Sequence, residues 1–154
     1  MSDSIAFLIE LMGLWEGEGV NHEGQAYRGR MVVEPPMNQA AMLVRFVATG
    51  LDGAAYHREV LMAGLTAEGE EVAFSISNNL PGIVRFEMAR PAPNHVVFTF
   101  GRLENNDSFR EVITIRRDAD GGIFHGFAWA MPGEAMQERS SARLVFIHDG
   151  ASTP

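Results

Sequence analysis

The segment Ile123-Phe124-His125-Gly126-Phe127-Ala128-Trp129-Ala130-Met131 concentrates residue types that could do chemistry. In an extended chain, successive side chains point to opposite faces. Ile123, His125, Phe127, Trp129 and Met131 then share one face, and Phe124, Gly126, Ala128 and Ala130 share the other. A large apolar wall holding one titratable ring suits a ligand pocket, which combines apolar area with a few polar groups. His125 could serve there as a haem ligand, an acid–base group or a hydrogen-bond donor. A packed surface around a satisfied histidine has the same pattern. A second cluster is Tyr56-His57-Arg58-Glu59. His57 and Glu59 share a face there, and a His–Glu pair can move a proton. The usual exposure of charged side chains predicts instead an outward polar ladder.

Composition removes several chemistries. Cysteine is absent, so disulfides, thiol catalysis and cysteine zinc sites are excluded. All twelve basic residues are arginine, which excludes a lysine Schiff base or a P-loop lysine. The five histidines fall at no metal-ligand spacing such as HExxH, and no dedicated metal site is expected. Nucleophile-elbow and dinucleotide motifs are also missing. Acids outnumber bases for a formal charge of −8. Nucleic acid and anionic membranes are therefore poor partners, since their affinity comes from clustered cations. No apolar run approaches the ~20 residues of a membrane helix. The N-terminus has an acid and no base before its apolar stretch, unlike a secretory signal. A cytoplasmic protein is expected.

The elements that must hold these residues follow from periodicity and turn chemistry. Ile5, Leu8, Ile9 and Met12 fall at helical spacing, with Asp3 or Ser4 as cap and Gly13 as terminator. Ten strand-like segments follow: Leu14–Asn21, Ala26–Glu34, Ala40–Thr49, Ala54–Ala63, Glu71–Ser77, Ile83–Arg90, His95–Leu103, Ser108–Arg117, Gly122–Met131 and Met136–Ile147. Between them lie Gly, Pro, Asn and Asp clusters of hairpin length. Parallel neighbours would need helical crossovers, and none is visible. An open meander of ten strands would leave two edges unpaired, so closure is expected. The expectation is an all-β, antiparallel up-and-down barrel with a short N-terminal helix, spanning 1–154 as one domain. Glycines at 17 and 19, on the face of Trp15, would either open the interior or mark where the wall bends.

A helical turn, then Leu11-x-Gly13-x-Trp15-x-Gly17-Glu18-Gly19, then an antiparallel meander resembles the calycin superfamily of lipocalins and fatty-acid-binding proteins. The pattern looks closest to the nitrobindin-like ten-stranded barrels, which bind haem. The resemblance implies that Trp15 plugs the closed end, stacked under an arginine of the last strand, for which Arg143 is the match. It implies a haem-ligating histidine near the start of that strand, but Met136-Gln137-Glu138-Arg139 contains none. In fatty-acid-binding proteins, inward arginines on the eighth and tenth strands hold a ligand carboxylate. Arg110 and Arg139 stand in those strands, with Ser141 where a tyrosine follows the second. Enclosed in a barrel, the pair would need an anion. On the surface, Glu111 and Glu138 would be its partners.

The expected function is therefore binding of a small hydrophobic or amphipathic molecule inside the barrel. Arg110, His125, Phe127, Trp129, Met131 and Arg139 are the candidate contacts. Haem, with His125 as ligand, is one alternative. A small isomerase or lyase using His125 or His57 as base is another. A homodimer through exposed Phe or Met faces is compatible with the sequence.

Overall fold

A computed structural model describes residues 2–148. The ends of the expected 1–154 domain, residue 1 and residues 149–154, lie outside the described residues. The chain runs α1 (Asp3–Glu10), β1 (Gly13–Val20), β2 (Ala26–Val33), β3 (Ala41–Gly50), β4 (Ala55–Leu65), β5 (Glu71–Ser77), β6 (Ile83–Ala92), β7 (His95–Phe100), β8 (Arg110–Arg117), β9 (Ile123–Ala130) and β10 (Gln137–His148). Each strand pairs antiparallel with its chain neighbour, and β1 pairs with β10, so the sheet closes into a ten-stranded meander barrel. Closure leaves no unpaired edge. The largest difference from the sequence reading is in β7. It stops at Phe100 instead of Leu103, because Gly101 adopts φ 78° and turns the chain.

Alternation sorts the strands into an inner wall and an outer one. Phe46, Leu61, Phe86, Phe98, Ile113, Ile115 and Leu144 are buried inside. Residues of intervening parity, such as Arg45, Met62, Arg85 and Arg143, face solvent.

The helix differs in detail from the expected one. Its cap is Ser2, whose hydroxyl accepts a bond from the Ile5 N–H at 3.2 Å. Ser4 is buried and donates to Glu71 instead, at 2.8 Å. The helix ends before Met12, so the stripe turned to the barrel is Ile5, Phe7, Leu8 and Leu11, all buried. Eight residues would not hold a helix alone. This one is tied down by packing and by arginines from the barrel. Arg90 donates to the Asp3 carbonyl at 2.9 Å, and Arg117 donates to the Glu10 carbonyl and carboxylate. Both guanidiniums also lie near the Phe7 ring. The helix thus covers one end of the barrel.

Trp15 sits beneath that lid, buried, with its indole N–H donating to the Leu11 carbonyl at 2.8 Å. That bond satisfies a carbonyl at the helix end that would otherwise lack a partner. Arg143 does not stack on it. Leu144 and Ala142 hold the inward parity of β10, so Arg143 points outward, where it pairs with Asp118 at 2.8 Å and with Asp120. The ring beside Trp15 is Phe146, edge-on at 5.2 Å.

The neighbouring glycines mark close approach. A Cβ on Gly17 would fall 1.8 Å from the Arg143 carbonyl oxygen, and one on Gly19 would fall 2.4 Å from the Tyr27 ring. The Gly19 Cβ would also fall 2.5 Å from the Ser141 carbonyl oxygen, and the β10 backbone opposite either glycine could not move without opening the ladder. Gly17→Ala should therefore destabilise the fold by about 2–3 kcal/mol, in the range of overpacked cores. Chemical denaturation checks this, and a loss below about 0.5 kcal/mol, ordinary for a surface substitution, would contradict it.

Candidate functional site

Opposite the helix, the barrel encloses a cavity of about 770 Å³. Its apolar wall includes Phe46, Ala48, Val84, Phe100, Phe127 and Trp129. Loops at its mouth add Asn21, His22, Asn79, Leu80, Pro81, Phe109 and Met131. Three of the candidates on or beside the ninth strand, Phe127, Trp129 and Met131, therefore line the cavity.

His57 and Glu59 do not form an outward ladder. Arg58 takes the solvent parity of β4, which sends His57, Glu59 and Leu61 inward. Glu59 is buried, accepts from the Ser75 hydroxyl at 2.7 Å and lies 3.6 Å from His57 Nε2. His57 Nδ1 is 2.6 Å from the Asn79 side-chain nitrogen at the cavity mouth.

Glu111 carries a feature absent from the sequence reading, which makes it a surface partner of Arg110. On β8 the residues Glu111, Ile113 and Ile115 share the buried face, so the carboxyl points into the cavity. It is 7% exposed, and its Oε2 has no hydrogen-bond partner among the described residues. Burial, reinforced by the charge of Glu59, pushes its pKa up to about 8. At neutral pH the carboxyl is mostly protonated. The signal is present in the alternation Glu111-Val-Ile-Thr-Ile115, where the isoleucines fix the inward parity.

The two arginines fall on the other parity. Arg110 is fully buried, but beneath the loops and outside the cavity. It donates to the carbonyls of Ser108, Leu103, Met131 and Glu134 and to the Asn106 side chain. It thereby joins the loop between β7 and β8 to the loop between β9 and β10. Arg139 lies 4.4 Å over the Trp129 ring, donates to the Trp129 carbonyl and pairs with Glu134 at 2.8 Å. Ser140, not Ser141, turns inward and reaches the Tyr27 hydroxyl at 3.2 Å.

His125 lies deeper than the cavity lining. It is 1% exposed and stacked on Phe46 at 3.9 Å with the rings 6° from parallel. Burial, helped by His57, holds it down at about 3, so the ring is neutral. His125 does not line the cavity, and His57 already faces Asn79 and Glu59. The residues present therefore do not fit a haem iron. No cluster of three metal-binding side chains occurs among the described residues. No helix among them is long and apolar enough to cross a membrane.

No family model matches the chain, and no curated protein matches its sequence. Solved structures do resemble it. Rv2717c from M. tuberculosis superposes with a TM-score of 0.67 at 14% identity, over 96% of this chain and 99% of that one. The likeness is one of fold. A de novo designed fluorescence-activating beta barrel aligns over 96% of this chain and all of its own at 16% identity, with a TM-score of 0.41. EF1p2_mFAP2b bound to DFHBI aligns over the same share of this chain at 15% identity, with a TM-score of 0.42. At those scores neither of these two structures bears on function.

Proposed function

We propose that this chain is a calycin-like barrel of nitrobindin type that binds one small, largely apolar molecule with a polar group. The observation that carries this reading is the cavity itself. At about 770 Å³ it lies within the range of small-molecule sites, its wall is largely aromatic, and a few polar groups converge on it. Met131 at the mouth adds a side chain that adapts to ligand shape. The helix closes the far end, so a ligand enters from the loop end.

A neutral fluorescent probe, N-phenylnaphthylamine, tests the reading. Wild-type protein should bind it saturably with one site per chain. Ala48 is buried in the wall, and its side chain points to the cavity. Ala48→Phe should weaken probe binding by at least about tenfold, a difference of 1.4 kcal/mol, with the melting transition retained. Equal binding by wild type and Ala48→Phe would place the probe elsewhere and overturn the reading.

A further inference from the structure

Glu111 is flanked in register by Phe100 on β7 and Trp129 on β9. All three side chains line the cavity, with Phe109 and Phe127 beside them. Phe109 lies 6.1 Å from Phe100 and 6.4 Å from Trp129, ring to ring. We infer that the cavity is a site for an organic cation, a molecule with an apolar body whose ammonium group seats against Glu111 among these aromatic rings. This deepens the reading of the cavity as a ligand site and depends on it.

Three observations support the assignment. First, the Glu111 carboxyl lines an aromatic enclosure and one of its oxygens is buried without a partner, which is what an ammonium group requires. Ring faces attract the cation electrostatically, and the carboxylate supplies the counter-charge. Second, the buried carboxyl Glu59 lies on the same inward face as cavity-lining His57, and its Oε1 also lacks a hydrogen-bond partner. Third, no arginine among the described residues lines the cavity. Arg110 is turned under the loops, and the charge of Arg139 is met by Glu134. A ligand carboxylate would meet the Glu111 carboxyl, with Glu59 behind His57, and no guanidinium.

The cavity also provides for charge balance. The titratable groups that face it are Glu111 on β8, His57 with Glu59 behind it on β4, Tyr27 on β2, Tyr56 on β4 and His22 at the mouth, with His125 below. Glu111 holds a proton at neutral pH, since its pKa is near 8. A cation entering displaces that proton to solvent, and the net charge of the cavity is unchanged. Affinity for a cation that does not itself titrate should therefore rise about tenfold per pH unit toward pH 8 and then level off.

The test uses three probes of one shape class, followed by quenching of tryptophan fluorescence. They are naphthylmethyl-trimethylammonium, its uncharged isostere neopentylnaphthalene, and the anion naphthylacetate. The ammonium should bind wild type at least about tenfold more tightly than either other probe at pH 8, and its affinity alone should rise from pH 6 to 8. Glu111→Gln should remove the preference and the pH dependence while leaving the neutral isostere within about twofold. Equal or tighter binding of the isostere or the anion overturns the cation assignment and leaves the cavity reading standing. A preference that survives in Glu111→Gln overturns the role of Glu111. Failure of all three probes overturns the inference and the cavity reading together.

Discussion

Glu111→Gln should make the free protein more stable at pH 9 by roughly 5 kcal/mol and leave it nearly unchanged at pH 4. The carboxyl has an ordinary value of 4.5 and is raised in the fold to about 8. Between those values the folded chain binds a proton that the unfolded chain has released. Stability therefore falls as pH rises through this window, by about 1.4 kcal/mol per pH unit. Below pH 4.5 both states are protonated and the penalty is absent. Above about 8 both are ionised, and the full cost of a buried carboxylate near Glu59 is present. Glutamine keeps the shape and a donor but has no charge to bury. The quantity to measure is the difference between variant and wild type in urea denaturation across pH, because other groups titrate equally in both. A difference that stays flat from pH 4 to 9 would show that the carboxyl is not enclosed.

The mirror-image effect belongs to His125. Burial lowers its pKa from 6.5 to about 3. Here the unfolded chain binds the extra proton, so stability falls as pH drops through 6.5 toward 3, again by roughly 5 kcal/mol in total. His125→Phe keeps a ring against Phe46 and removes the titration. Measured relative to its own value at pH 8, which absorbs any packing difference, the variant should gain steadily on wild type as the solution is acidified. Its acid-unfolding midpoint should move to lower pH. An unchanged midpoint would mean that His125 reaches water. Taken together, the two penalties sum to a nearly constant value between pH 4.5 and 6.5 and grow on either side. Two buried titratable groups of opposite type thus lower stability toward opposite ends of the pH range.

Much of the barrel can be read directly from turn chemistry. Clusters such as Asn78-Asn79-Leu80-Pro81-Gly82 and Asp118-Ala119-Asp120-Gly121-Gly122 separate segments too short for helices, and the hairpin-length gaps leave little choice but a meander. Closure follows from the number of strands that would otherwise expose an edge. The wall of β9 is legible because Ile123, His125, Phe127 and Trp129 alternate cleanly with small residues.

Parity and distant register account for what the sequence reading gets wrong. Arg110 and Glu111 are adjacent, so one must face in and one out. Analogy with fatty-acid-binding proteins turns the arginine inward, although Ile113 and Ile115 give that side to Glu111. Likewise, Leu61 and Ala63 on the same face as His57 and Glu59 indicate burial, whereas general exposure statistics favour a surface. The absence of Arg143 from Trp15 cannot be read locally. It depends on the pairing of β1 with β10, which sets Arg143 opposite Glu18 and Phe146 opposite Trp15.

Occupation of this cavity by a small molecule can be read in one spectrum, because the two tryptophans stand in different places. Trp129 lines the cavity, whereas Trp15 is buried at the helix end with its indole N–H bonded to Leu11. Nitrogen–proton NMR of the indole groups during titration with N-phenylnaphthylamine should show one resonance shifting and saturating while the other stays in place. Trp129→Phe should delete the shifting resonance. A shift confined to Trp15, or no shift at saturating probe, would contradict the account.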